Sequence, residues 1–332
     1  MQKQYKNMIK IGVIGLKRSG TGEIKKIKKS GGFQITGIFD PDFIYAKKVS
    51  SQLSVPFYES PDDLIAQCDA IIFSLPADNH FNLLIQTLKC SKHLLIKNPL
   101  SISLESANEL VKLTREANVV VQLGNTERMN PAFKASLKYI KNPVFIDIQR
   151  YSKPGKYINE KELILDLLFK DIDIVTSLYR SNIKKVNAIG VSIGGEKVDI
   201  VNARLEFDNG SVAMLTLNSV SLSDTLKVQL YQKGEYITID FIKKQAIIVR
   251  LKEGQDKVSQ TIENQFQQEF FLERPKIISV NQDIEELALF RDSIRNKRNL
   301  VVGIEEGFIT LSIALQIIDK INVHENPFAL RR

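Results

Sequence analysis

The sequence predicts a doubly wound α/β domain with a parallel sheet, followed by an α+β domain whose sheet is largely antiparallel. Three observations predict it. β-rich runs alternate with amphipathic helical stretches up to residue 123. The first of those strands runs into a glycine-bearing turn that opens a helix. After Asn130-Pro131 the pattern changes to consecutive alternating strands joined by short turns. Strands alternating with helices are what a parallel sheet with crossover helices requires, whereas strands joined by hairpins pair antiparallel. A chain of 332 residues exceeds the usual size of a single core, and 43% hydrophobic content suffices for two. The expected division is 1–123 and 124–332.

In the first part, strands are expected over Ile9–Ile14, Gln34–Phe39, Ala70–Leu75, His93–Ile96 and Val119–Leu123. Helices are expected near Thr21–Lys29, Tyr45–Gln52, Phe81–Leu88 and Leu104–Glu116. In the last of these Leu104, Ala107, Leu110, Val111 and Leu113 recur at helical spacing and form one apolar face. In the second part a helix near Ala132–Ile140, a strand over Val144–Arg150 and a helix over Leu163–Tyr179 come first. Strands follow over Val186–Ile193, Val198–Phe207, Val212–Val220, Leu226–Tyr231, Tyr236–Phe241 and Ala246–Leu251. Asp208-Asn209-Gly210 and Lys233-Gly234 supply hairpin turns. Two late helices, Ile284–Arg295 and Glu305–Ile321, are expected to cover part of the antiparallel sheet.

Composition narrows the classes of function. Cys68 and Cys90 form no CxxC pair, and His80, His93 and His324 have spacings that fit no zinc or facial-triad pattern, so no metal site is expected. No run approaches 18 apolar residues, and the polar start from Met1 to Lys6 lacks the apolar core of a signal peptide. A soluble, cytoplasmic protein without membrane contact is expected. Lys and Arg outnumber Asp and Glu by 46 to 38, a net charge of +8. The excess is dispersed, and its densest cluster, Lys25, Lys26, Lys28 and Lys29, interleaves with Ile24 and Ile27 as a solvated helix face does. Nucleic acid is not an expected partner.

Three segments carry candidate chemistry. The first strand leads into Gly15-Leu16-Lys17-Arg18-Ser19-Gly20, a G-x-G-x-x-G pattern with lysine at its second glycine position. The glycines of that pattern make the turn, let a pyrophosphate approach the backbone, and let helix and strand pack closely. A side chain at Lys17 crowds the phosphates, while its ammonium attracts them. Asp40 ends the next strand about 20 residues beyond Gly20, where an acid accepts hydrogen bonds from an adenosine ribose and repels a 2′-phosphate. The second segment is a pair of polar turns ending strands, Ser74-Leu75-Pro76 and Lys97-Asn98-Pro99, at the sheet edge where open α/β sheets bind ligands. The third is the apolar helix carrying Asp166, Lys170 and Asp173 at spacings of four and three, which share one face. As chemistry, Lys170 accepts a hydroxyl proton with Asp166 orienting it. As structure, the same two residues are an ordinary helix ion pair. A free lysine titrates at about 10.4, roughly three units too high for a base at neutrality.

Laid end to end, these segments resemble the glucose-fructose oxidoreductase, inositol dehydrogenase and MocA (Gfo/Idh/MocA) family across nearly the whole chain. Within it they are most similar to the UDP-N-acetylglucosamine 3-dehydrogenase subgroup. The matching stretches are Gly124-Asn125-Thr126-Glu127-Arg128-Met129-Asn130-Pro131-Ala132 and the run from Asp166 to Asp173. The resemblance implies NAD, or less readily NADP, held by Gly15, Lys17, Arg18, Ser19, Gly20, Asp40, Pro76 and Lys97. It implies a sugar or UDP-sugar held by Asn125, Arg128, Asn130 and Asp173, with Lys170, Asp166 and Asn98 at the catalytic positions. It further implies oxidation of a sugar hydroxyl and a second domain whose sheet is open on one face and suited to a homo-oligomer. The departures fall on the chemistry. The family's Glu-Lys-Pro reads Lys97-Asn98-Pro99, its catalytic histidine is Lys170, and the subgroup's earlier histidine is Asn125. Asn98 hydrogen-bonds a hydroxyl but takes no proton at neutral pH. Two readings follow, an NAD(P)-dependent oxidoreductase and a pseudoenzyme that binds nucleotide or sugar nucleotide without turnover.

Overall fold

The computed structural model describes residues 8–17, 20–75, 80–97, 102–154, 160–179, 181–193, 198–251, 261–263, 269–296 and 302–323. They fall into two compact units. The first comprises Met1–Thr126 with Asn281–Leu311, and the second Glu127–Val280 with Ser312–Arg332.

In the first unit β1 (Ile9–Ile14), β2 (Phe33–Phe39), β3 (Ala70–Phe73), β4 (His93–Ile96) and β5 (Val121–Leu123) form a wholly parallel sheet in the order β2-β1-β3-β4-β5. The helices between them are α1 (Gly20–Ser30), α2 (Phe43–Leu53), α3 (Pro61–Gln67), α4 (Phe81–Lys89) and α5 (Leu104–Ala117). Ile11, Val13, Ile14, Ile71, Ile72 and Phe73 are all buried, which is why β1 and β3 read as near-continuous apolar runs. Strand order reverses beside β1, so the carboxyl ends of the strands there form the usual ligand edge of such a sheet. The helix α3 was not among the expected elements. Ser60 caps it by accepting from the N–H groups of Asp62 and Asp63, with Pro61 in the first turn. Only Leu64 and Ile65 face the core, too few for a readable period.

One expectation is corrected here. The helix α8 (Gln282–Asn296) packs against α1 in the first unit instead of covering the antiparallel sheet. Its Leu287 and Phe290 are fully buried in the cluster that contains Ile24 and Ile27. The first unit is therefore made of two stretches of chain, and the expected division into 1–123 and 124–332 misses the return of 281–311.

The second unit holds α6 (Pro131–Ser136), β6 (Phe145–Tyr151), α7 (Glu160–Leu178), β7 (Ile183–Val191), β8 (Ile200–Phe207) and β9 (Val212–Asn218). It continues with β10 (Thr225–Gln232), β11 (Glu235–Asp240), β12 (Gln245–Leu251), β13 (Thr261–Glu263) and β14 (Glu269–Glu273), and takes in the end of α9 (Ile304–Val323). The nine strands lie in the order β13-β14-β12-β11-β10-β6-β9-β8-β7, and every pair is antiparallel except β6 with β9. The strands β13 and β14 lie beyond the last strand expected from the alternation.

Period-2 alternation sorts the side chains of this sheet by face. Ile146, Ile148, Val201, Ala203, Leu205, Leu215, Val228, Leu230, Ile237 and Ile239 are buried on one face. On the other, register places Val212, Phe145, Tyr231, Tyr236, Val249 and Leu272 side by side in one row across six strands. Tyr231 and Tyr236, stacked with ring centroids 5.9 Å apart, are each 38% exposed.

Candidate functional site

The turn between β1 and α1 is shaped by its two glycines. Gly15 has a φ of +90°, and a Cβ there would lie 2.7 Å from the Leu75 backbone nitrogen. A Cβ on Gly20 would lie 1.9 Å from the Gly15 carbonyl oxygen, so no other residue fits without moving the turn. The Lys17 side chain is exposed, and its Nζ pairs with Asp42 Oδ2 at 2.8 Å. That hydrogen bond raises the Lys17 ammonium above the ordinary lysine range and lowers the Asp42 carboxyl.

Asp40 is 2% exposed, and both of its oxygens are engaged by backbone groups. Oδ2 accepts from Leu16 N–H at 2.7 Å and Oδ1 from Asp42 N–H at 2.9 Å. The carboxylate thus ties the glycine turn to the segment after β2. Asp42 in turn caps α2 by accepting from Tyr45 N–H at 3.0 Å. Arg18, Ser19, Pro76 and Asn98, all candidates from the sequence, lie outside the described residues.

Lys97 follows β4 directly, and its ammonium is turned into the interior. It pairs with Glu286 of α8 and lies 3.6 Å from Glu23 of α1, with side-chain exposures of 8%, 1% and 0%. Lys26 extends the network at 2.9 Å from both Glu23 and Asp283. Burial works against the Lys97 ammonium, but the carboxylates of Glu286 and Glu23 outweigh it and raise its pKa. The cation at position 97 is therefore engaged in joining β4, α1 and α8.

In the second unit, α7 carries its acids in three different environments. Lys170 Nζ lies 3.2 Å from Asp166 Oδ1, and both side chains are about a quarter exposed, at 26% and 29%. Asp173 is fully buried and takes a two-pronged contact from Arg128, Nε to Oδ2 at 2.6 Å and Nη2 to Oδ1 at 2.5 Å. Two expected substrate residues, Arg128 and Asp173, thus hold each other. Asn130 sits elsewhere: its Oδ1 caps α6 at Ala132 N–H and its Nδ2 donates to the Phe241 carbonyl, both at 3.0 Å. Asn125, in the first unit, is buried.

The residues that sequence reasoning missed belong to a second buried network. Arg150 donates from Nε and Nη2 to Asp171 at 2.6–3.0 Å and reaches Glu127 at 3.3 Å. Burial opposes the Arg150 charge, yet the two carboxylates hold it more firmly than in water, while burial pushes the Asp171 carboxyl up against the pull of Arg150. A signal was present in the strand: alternation puts Arg150 on the same face as Ile146 and Ile148, and a charge facing a core requires partners.

These residues fit a dinucleotide at its phosphate end, where two glycines that a Cβ would obstruct bring the N-terminus of α1 to the sheet edge. At the end of β2, Asp40 accepts one backbone N–H on each oxygen, and Asp42 is held by the Tyr45 N–H and by Lys17. No cluster of His, Cys, Asp and Glu among the described residues can hold a metal ion. His324 lies outside them. No helix among the described residues is long and apolar enough to cross a membrane.

A parallel sheet ordered β2-β1-β3-β4-β5 with a glycine turn opening α1 is the arrangement of a doubly wound dinucleotide-binding fold, and the second unit is built on a large, mostly antiparallel sheet. Residues 9–125 match the Gfo/Idh/MocA profile, described as an oxidoreductase family with an NAD-binding Rossmann fold. The UDP-N-acetylglucosamine 3-dehydrogenase of Acidithiobacillus ferrooxidans is 25% identical over 239 residues, 70% of this chain and 74% of that protein. The myo-inositol 2-dehydrogenase of Thermotoga maritima is 23% identical over 322 residues, 91% of this chain and 93% of that protein. A solved structure of the Acidithiobacillus enzyme superposes with a TM-score of 0.86, at 22% identity, over 95% of this chain and 98% of that one. That likeness carries the fold through both units.

Proposed function

We propose that the protein is a nicotinamide-linked oxidoreductase of a sugar or UDP-sugar hydroxyl, using NAD(H) in preference to NADP(H), with turnover held low at neutral pH by the Lys170–Asp166 pair. The glycine turn opening α1 carries the nicotinamide reading, and the ion pair carries the low turnover. Oxidation of an alcohol releases a proton, and the acceptor needs a free lone pair. A lysine ammonium has three donors and no acceptor, and an ordinary lysine is an ammonium at neutral pH. In this structure Asp166 accepts from it at 3.2 Å. Arg128, which by resemblance would contact substrate, is engaged by Asp173 and so orders the wall of the second unit.

When bound, a nicotinamide ring supplies the hydride acceptor. The protein's part is to hold the dinucleotide phosphates against the α1 N-terminus through the Gly15–Gly20 turn and to position the sugar. Substrate class is supported by the names of relatives that act on UDP-N-acetylglucosamine, myo-inositol and scyllo-inositol, all polyhydroxylated rings. The aromatic row of the nine-stranded sheet supports a homo-oligomer formed through that face.

The second reading, a binding or regulatory protein without turnover, is favoured by the same ion pair. One experiment separates them: titration calorimetry with NAD, NADH and UDP-sugars, followed by NADH formation measured at pH values from about 7 to about 10, where an unperturbed lysine begins to deprotonate. The expected result is binding, with a rate that is very low at pH 7 and rises with pH. Restoring Asn98→Lys with Lys170→His should raise it, by about 10²-fold or more for a recovered proton-transfer group. Robust turnover of the unaltered protein at pH 7 would overturn the assignment to Lys170. Binding with no turnover at any pH, in either form, would establish the second reading.

A further inference from the structure

At the edge of the parallel sheet opposite the glycine turn, the amino ends of β1, β3 and β4 and the last turn of α8 surround a cavity of about 620 Å³. All of these elements belong to the first unit. Met8, Ile9 and Ile294 give the cavity an apolar side, and Asp69, His93 and Arg295 give it polar groups. Its volume lies within the range of about 300–1,000 Å³ that small-molecule sites occupy. We propose that this cavity binds a free α-amino acid with an apolar side chain.

The case rests on charge and on the hydrogen-bonding capacity of each group. The two charges are of opposite sign, so an anion alone meets the repulsion of Asp69 and a cation alone that of Arg295. A zwitterion finds a partner for each of its ends. Asp69 is exposed, and its Oδ2 accepts from Lys10 N–H at 2.8 Å, which leaves Oδ1 to accept from an ammonium. Arg295 is exposed as well and donates from Nη2 to the Gly32 carbonyl at 3.4 Å. A guanidinium has five donors, so it receives a carboxylate in addition to such a contact.

His93 is fixed from the side away from the cavity. Its Nδ1 accepts the Val120 N–H at 2.9 Å, so the neutral ring carries its proton on Nε2 and presents a donor there. Burial lowers its pKa against the pull of Asp69, which keeps the ring neutral at pH 7. A donor and a guanidinium for a carboxylate, a carboxylate oxygen for an ammonium and an apolar wall for a side chain are what an apolar amino acid requires. None of these residues takes part in the proposed nicotinamide site, which lies at the other edge of the sheet.

The test is calorimetric titration of the full-length protein with L-leucine, L-methionine and L-phenylalanine. N-acetyl-L-leucine, which lacks the ammonium, and 3-methylbutylamine, which lacks the carboxylate, serve as controls. At least one amino acid is expected to bind, and each control to bind about threefold more weakly or less, the value of a half-exposed ion pair. Asp69→Asn keeps an oxygen for the Lys10 N–H and should weaken the amino acid by about threefold while sparing N-acetyl-L-leucine. Arg295→Met should weaken the amino acid and spare the amine. Thermal melts report folding of each variant. In the NMR spectrum the bound carboxylate should raise the His93 pKa by about one unit, with His93→Gln assigning the signal. Absence of binding by all three amino acids at about 10 mM, where a site of about 1 mM affinity is nearly full, would overturn the proposal. So would controls that bind as tightly as the amino acid, folded charge variants with unchanged affinity, or a His93 pKa unmoved at saturation.

Discussion

Replacing Lys97 by methionine should show what the buried network at the end of β4 contributes. The substitution keeps an unbranched side chain of similar length but leaves Glu286, 1% exposed, without its cation, while Glu23 retains Lys26 at 2.9 Å. Removing one member of a buried pair typically costs about 3–5 kcal/mol, mostly the penalty of stranding the other charge. For a domain of about 150–250 residues each kcal/mol lowers Tm by roughly 2–4 °C, so the expected loss is roughly 6–20 °C in the first unit's transition. Differential scanning calorimetry is the suitable assay because two units need not melt together. Lys97→Met/Glu286→Leu should recover much of the loss, since both charges leave together. The pH dependence has a definite sign. Lys97 has a folded pKa raised above its ordinary value of 10.5, so its contribution is fully present below about pH 10.5 and fades only as pH rises through the folded value. The gap between unaltered and Lys97→Met protein should therefore be level from pH 7 to pH 10. A loss under about 2 °C, a gap that closes between pH 7 and pH 9, or a double variant as unstable as the two single losses added would refute the reasoning.

Three further outcomes are expected. Arg150→Met strands Asp171 and Glu127 in the second unit and should cost about 3–5 kcal/mol in denaturant unfolding, and Arg150→Lys should recover only part, since lysine cannot make the forked contact. A midpoint equal to that of the unaltered protein would show the network to be dispensable. His93 accepts the Val120 N–H on Nδ1 at 2.9 Å, and burial, only partly offset by Asp69, lowers its pKa from 6.5. Stability should then fall as pH drops below about 6.5, because the unfolded chain protonates first, and the fall should be smaller in His93→Gln; an NMR titration placing His93 above 6.5 would contradict this. Tyr231→Glu/Tyr236→Glu puts two charges into the open-face row and should convert an oligomer to monomer in sedimentation, with an unchanged mass counting against that face as the interface.

Much of the fold was legible because periodicity is local. The alternation that predicted strands from Ala70, His93, Val198, Val212 and Ala246 comes from side chains meeting one core face, and the observed strands start within two residues of those positions. The helix α8 was also legible as a helix, but its partner was not. Leu287 and Phe290 announce only an apolar face, and the choice between packing on α1 and covering a sheet was made by Lys97, Lys26, Glu23 and Asp283, which are scattered over 261 residues. The candidate site divides in the same way. The Lys170–Asp166 pair is four residues apart on one helix and followed from spacing alone, whereas Arg128–Asp173, 45 residues apart, and Arg150–Asp171, 21 apart, required the fold.

What the sequence determined by itself is therefore what neighbouring residues impose on one another. It determined most of the order of strands and helices and the glycine turn that only residues without a Cβ can make. What only the tertiary structure decided is where each charge is engaged. In the folded protein Asp40 holds two backbone amides and Lys97 meets two buried carboxylates, partners that no neighbouring residue announces. The physical reason is that a charge removed from water must find a partner at the moment the chain closes around it, and which partner lies in reach is set by packing across the whole unit and not by the residues beside it.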